Sequence, residues 1–352
     1  MFPSPKLTSV TDPSAPARPG SVTLHDVADA AGVSLATASR VLNGSTRNVA
    51  GPYRERVEAA AARLGYSANL SAQATARGTS AIVALLVADI ADPYFGELAA
   101  GVARGADEAG LVVTIATTDR DADRELRLVR ALRGQRPRGV ILAASRAAAQ
   151  FAPELARELD LIAAAGGRVV ALGPQADGIR GITLDNRGGA EALGRALADS
   201  GYRDAIVLAA AEGIVTSDER VAGFTAGFTA GGGSAPRLHR AGFTRDAGAA
   251  AMTAALAEGV APGTLVFGIS DVVAIGAMGA LRQAGREVGA DVALCGYDDI
   301  PTSRDVTPAL TTVNIPLEEV GYQALRAAVD PDWSPAPLPL QVLLRGSTPP
   351  PS

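Results

Sequence analysis

The stretch that decides the architecture is Val22-Thr23-Leu24-His25-Asp26-Val27-Ala28-Asp29-Ala30-Ala31-Gly32-Val33-Ser34-Leu35-Ala36-Thr37-Ala38-Ser39-Arg40-Val41-Leu42-Asn43-Gly44. Thr23 is placed to cap a helix, and Asp26, three residues on, to return the bond. Leu24, Val27, Ala28 and Ala31 recur at helical spacing, and Gly32 follows where a left-handed residue ends a helix. Ser34 can cap a second helix only two residues later, with Ala38, Val41 and Leu42 on one face and Ala36, Ser39, Arg40 and Asn43 on the other. Two helices joined by so short a turn make a helix-turn-helix. A third amphipathic segment has Pro52 in its first turn, places Val57, Ala60, Ala61 and Leu64 inward, and stops at Gly65. The small, polar outer face of the second helix fits a major groove about 12 Å wide, with Arg40 in reach of bases or phosphate. Spacing alone leaves open the alternative of a plain three-helix scaffold with a solvated face.

Upstream of this unit, Pro3, Pro5, Pro13, Pro16 and Pro19 lie among Ser and Thr without an apolar run, so residues 1–20 read as a disordered tail and not a signal peptide. Residues 21–66 form the helical headpiece, and 67–81, rich in Ala and Ser, a connecting segment. From Ile82 short apolar runs alternate with helical stretches. Ile82–Val87, Val112–Ala116, Gly139–Ala143 and Val169–Leu172 make one series of strands; Ile206–Ala210, Thr264–Gly268 and Val292–Gly296 make a second. This alternation predicts parallel sheets covered by helices, hence a two-lobed α/β body over 82–352. Ligands bind beyond the carboxyl ends of strands in such sheets, which directs attention to Asp89–Phe95, Ser270-Asp271 and Asp298-Asp299.

Composition narrows the function classes. Residues 1–80 carry 8 Lys and Arg against 5 Asp and Glu, whereas the remainder carries 24 against 32. A basic front on an acidic body suits a headpiece that meets phosphate. The longest apolar stretch, Ala81–Ala88, is far short of the roughly 20 residues that span a bilayer, so a cytoplasmic protein without membrane contact is expected. Cys295 stands alone in an apolar run and reads as core; with His25 and His239 as the two histidines, no metal site and no cofactor are expected. There is no Walker A loop, no G-x-S-x-G elbow and no Rossmann glycine fingerprint, so an enzyme is not expected.

The quoted run, with Arg54-Glu55-Arg56-Val57 and Leu64-Gly65-Tyr66 after it, closely resembles the headpiece signature of the lactose/galactose repressor (LacI/GalR) family, and the body resembles that family's periplasmic-binding-protein-like sensor. The resemblance implies that Leu35, Ala36 and Arg40 face base edges and that Ser34, Thr37, Ser39 and Asn43 hold phosphates. It also implies a hinge over 67–81, with Gln73 near a groove edge or phosphate. In the family a leucine wedges into the minor groove there; here Thr75 takes its place, and Ala68 replaces the usual preceding proline. Strong kinking of DNA is therefore not expected, and a linker that never orders is the alternative.

For the sensor, the resemblance implies an effector cleft with Arg220 and Asp298 as its polar anchors, Asp92, Tyr94, Phe95 and Phe243 at its edge, and Ser270-Asp271 where the family has Asn-Asp. Ile315 replaces a frequent polar residue. The alternatives are that Arg220 and Asp298 pair with each other, and that Tyr94 and Phe95 belong to the core. The expected partners are operator DNA, a sugar or nucleoside-like effector, and a second copy of the chain in a homodimer, since family operators are two-fold symmetric. The resulting function is a transcriptional regulator, a repressor in the family's pattern; the alternative, a transporter's solute-binding protein, would need a signal peptide and no headpiece.

Overall fold

The computed structural model describes residues 22–42, 49–66, 79–144, 152–173 and 179–351. Asn43, Gln73 and Thr75 lie outside the described residues, as do the tail and residues 67–78 of the hinge. The chain divides into two compact units, with the boundary between Gln73 and Ala74.

In the first unit, α1 (Leu24–Ala31) begins at Thr23 with both capping-box bonds to Asp26 and ends at Gly32, whose φ of 62° is left-handed. α2 (Leu35–Leu42) and α3 (Gly51–Leu64) complete the triangle. Val27, Ala28, Ala31, Ala38, Val57, Ala60 and Ala61 are its buried core. Arg56 clamps the triangle from α3: Nε and Nη2 donate to the Ala31 carbonyl (2.9 and 2.5 Å), and Nη2 to that of Gly32 (2.8 Å). These carbonyls end α1, so the guanidinium satisfies acceptors that no helical N–H reaches.

The second unit has two sheets. In the first lobe the parallel order is β2 (Val112–Thr117), β1 (Ile82–Val87), β3 (Gly139–Leu142), β4 (Arg168–Leu172), β5 (Arg180–Ile182). β1 and β3 are buried almost throughout, as strands covered by helices on both faces must be. The second lobe runs β7 (Arg237–Arg240), β6 (Ala205–Ala209), β8 (Leu265–Gly268), β9 (Ala293–Cys295), also parallel. The seven expected strands are all present, shifted by one or two residues at most; β5 and β7 were not anticipated. β7 reads Arg-Leu-His-Arg, and an edge strand this polar has no apolar run to announce it. Cys295 is fully buried in β9, its Sγ donating to the Val266 carbonyl (3.6 Å).

Helices α4 (Pro93–Ala109), α5 (Ala122–Gly134) and α6 (Pro153–Ala164) cover the first sheet; α7 (Asn186–Asp199), α8 (Val215–Ala230), α9 (Arg245–Glu258) and α10 (Asp271–Gln283) cover the second, and a short α11 (Thr302–Asp305) follows β9. The chain then passes through β10 (Thr312–Asn314) in the second lobe and sends α12 (Leu317–Val329) back onto β3, β4 and α4 of the first. It returns as β11 (Gln341–Leu343), antiparallel to β10. A further stitch lies beyond: the Ser347 hydroxyl donates to the Leu294 carbonyl (2.6 Å) and accepts from the Thr311 N–H (2.8 Å).

Candidate functional site

The headpiece presents α2 with one buried side chain, Ala38, and a polar outer stripe. Ser34, Leu35, Ala36 and Arg40 are exposed, with Leu35 at 45%, and Thr37 and Ser39 half-buried. The Thr37 N–H donates to the Ser34 Oγ (3.2 Å), and the two hydroxyls lie 2.9 Å apart, so Ser34 caps the helix. Tyr53 is similarly exposed at 48%, with the Arg56 guanidinium 5.4 Å from its ring centroid.

In the body, Arg220 is the organising side chain. It stands on α8, which lies tightly on α7 because Gly223 has no side chain: a Cβ there would come within 2.1 Å of the Arg187 carbonyl oxygen. This approach brings Asn186, the first residue of α7, to Arg220, whose Nε donates to its Oδ1 (2.9 Å). Nη1 donates to the Ile269 carbonyl (2.7 Å), Nη2 pairs with Asp298 Oδ1 (2.8 Å), and the guanidinium lies 3.9 Å from the Tyr297 ring centroid. Arg220 and Asp298 are 3% and 5% exposed, so the pair is out of water. Asp298 adopts φ 110°, a region that residues with side chains rarely enter, and such strain concentrates at functional sites. Burial pushes its carboxyl up to about 7, against the pull of Arg220 and with a further push from Asp92.

The first lobe contributes Asp92, Tyr94 and Phe95 at the start of α4. Asp92 caps that helix by accepting from the Tyr94 N–H (3.0 Å), and burial raises its carboxyl. Tyr94 packs edge-on against Phe95, with centroids 5.0 Å apart. Burial raises the Tyr94 hydroxyl, and the Asp298 carboxylate of the second lobe adds to the shift. Phe95 is buried in the core, as the core alternative for this residue held. Phe243, in the loop after β7, is half-buried, with the Arg120 guanidinium 5.0 Å from its centroid.

Asp271, expected among the ligand contacts, is wholly buried, and both its oxygens are engaged by the fold. The Thr312 hydroxyl donates to Oδ1 (2.7 Å) and the Ile300 N–H to Oδ2 (2.9 Å). It fastens the turn carrying Asp298 to the start of α10 and does not face the cleft. Ser270 is the N-cap of α10, accepting from the Val273 N–H, and is 3% exposed. Arg220 and Asp298 do pair with each other, in the arrangement that their spacing left open. Sequence reasoning missed Asn186, Tyr297 and Arg120. Asn186 and Arg120 both follow strand ends, where attention to every β-to-α junction would have found them; Tyr297 is the immediate neighbour of Asp298.

Among the described residues no group of His, Cys, Asp and Glu is placed to hold a metal ion, and no helix is long and apolar enough to cross a membrane.

Residues 23–69 match the model of bacterial regulatory proteins of the lacI family, and 195–335 that of the periplasmic binding protein-like domain. The HTH-type transcriptional regulator CelR of Thermobifida fusca is 33% identical over 316 residues, covering 88% of this chain and 91% of CelR. The regulator GalR of Escherichia coli K12 is 31% identical, covering 87% and 88%. A crystal structure of the Lac repressor dimer bound to operator and the anti-inducer ONPF superposes with a TM-score of 0.78 at 26% identity, over 93% of this chain and 99% of that one. A CelR–cellobiose complex does so with a TM-score of 0.65 at 31% identity, over 93% and 99%. With a lacI-type headpiece on a periplasmic-binding-protein-like body and relatives of this identity along nearly its whole length, the chain is a DNA-binding transcriptional regulator and belongs to the LacI family.

Proposed function

We propose that the protein works as a homodimer on a two-fold symmetric operator, and that a polyhydroxylated small molecule, a sugar in the first instance, changes its operator affinity by binding between the lobes. The observation that carries the effector reading is Arg220, a cation held on three sides with Asp298 opposite. A fixed fork and a facing carboxylate read paired hydroxyls, the arginine donating and the carboxylate accepting. The pair is buried, so ligand entry requires the lobes to part and reclose. A lobe motion of this kind, coupled to headpiece spacing, links the two affinities reciprocally. That the related structures include a CelR–cellobiose complex and a Lac repressor dimer on operator supports this reading by kinship.

On the DNA side, Leu35, Ala36 and Arg40 are proposed to meet base edges, and Ser34, Thr37, Ser39 and Asn43 phosphates. Leu35 and Ala36 read by apolar contact such as a thymine methyl, and Arg40 by hydrogen bonds. The test is selection of bound fragments from random duplex DNA, repeated with a panel of sugars and nucleosides. A two-fold symmetric consensus whose retention shifts with one ligand class supports the proposal. Binding without sequence preference would sink it.

A further inference from the structure

Each nitrogen of the Arg220 guanidinium already has one partner within the protein; the second arginine of the cleft is less occupied. Arg120 follows β2 in the first lobe, where Asp119 and Arg120 adopt φ 55° and 56°, two successive left-handed residues with side chains. This turn is tied down by the Thr118 and Asp119 N–H groups, which donate to the carbonyls of Val87 and Ala88 (2.9 Å each), and by the Asp119–Arg124 ion pair (2.7 Å). From this turn the Arg120 guanidinium reaches over the ring of Phe243 in the second lobe, 5.0 Å from its centroid. β2 and β7, the strands that lead to these residues, are the edge strands of their sheets. The contact therefore closes one side of the cleft.

Among the described residues, the carboxylates that act on the charge of Arg120 are Asp92 and Asp89. Neither forms an ion pair with it among these residues, and its Nε is buried without a hydrogen-bond partner there. Asp92 and Asp89 act on it only at longer range, and its removal from water outweighs their support. A guanidinium stacked on a ring keeps its in-plane N–H edge free, and that edge matches the paired oxygens of a carboxylate or phosphate.

We propose that the effector carries an anionic oxygen group, and that Arg120, stacked on Phe243, binds that group and sets specificity for acidic over neutral sugars. The inference rests on the cleft being the effector site. Asp92 and Asp298 then face the ligand's hydroxyls, while Arg120 takes its acid.

The test is calorimetry on the full chain with glucose, gluconate, glucuronate and glucose 6-phosphate, and with the galactose counterparts. The wild type, Arg120→Met, Arg120→Lys and Arg220→Met are compared, with melting curves to establish folding. The expected result is that an acidic sugar binds about tenfold to a hundredfold more tightly than its neutral parent, the range of a charge-assisted hydrogen bond. Arg120→Met removes that margin while keeping neutral-sugar binding, and Arg120→Lys retains part of it. The carboxylate and phosphate arms tell the two anion sources apart. A neutral sugar bound as tightly as its acids, or a margin that survives Arg120→Met, overturns the inference. If that neutral binding is lost in Arg220→Met, the cleft assignment stands without it. Absence of binding in every arm overturns both.

Discussion

At Asp298 two demands meet in one carboxylate: it is held in a strained backbone next to Arg220, and it is nearly out of water. Its folded pKa, about 7, lies above the ordinary 3.8. The sign follows from linkage: the folded state holds the proton more tightly, so the contribution to stability is full below the unfolded value and is lost as pH rises through about 7. Melting temperatures of wild type and Asp298→Asn, measured from pH 4 to 8, should therefore diverge, with the wild type losing ground to the variant as pH rises. Arg220 sets a second expectation. Arg220→Ala leaves a buried carboxylate unanswered and should cost about 3–5 kcal/mol in chemical denaturation. Arg220→Met/Asp298→Leu, which removes both charges, should recover most of that loss, and neither protein should respond to effector while both still bind operator. On the headpiece, exchanging Leu35 and Ala36 should change the preferred operator in a selection experiment.

Elements matter here through how closely they approach. α8 lies on α7 because Gly223 and Gly227 admit backbone where a side chain would stand. Gly223→Ala should separate the two helices at the level of Asn186, at a cost of roughly 1–3 kcal/mol by overpacking, and weaken effector binding through the Arg220–Asn186 bond. Isothermal denaturation and titration calorimetry check the two halves of that statement. In the headpiece, Arg56→Ala should uncap α1 and lower its melting temperature, because a core of seven small residues has little in reserve. If Thr75 takes the family's wedge position, as the resemblance implies, Thr75→Leu should increase operator bending in a circular-permutation gel shift, since an isobutyl wedge compensates unstacking better than a threonine does. These elements differed in legibility. The capping box, the turn glycine and the apolar strands were readable because local chemistry dictates them. β7, and the burial of Asp271 by Thr312 and Ile300, were not. Those depend on which distant segments meet, and an aspartate after a strand looks the same whether it faces a ligand or a neighbouring loop.

For the whole molecule, the headpiece and body are separate compact units. Operator affinity should fall linearly on a log–log plot against salt, with a slope set by phosphate contacts, and Arg40→Ala should reduce sequence preference more than slope. The body is less separable. α12, late in the chain, packs on β3, β4 and α4, so the first lobe is assembled from two distant stretches of sequence. A hybrid regulator spliced at a single point between the lobes would give a foreign first half the wrong closing helix. To transplant ligand preference from one relative to another, residues 82–182 have to travel with 317–329. Evolution by simple end-to-end recombination faces the same restriction, which leaves exchange of the entire headpiece as the easy way to readdress such a sensor.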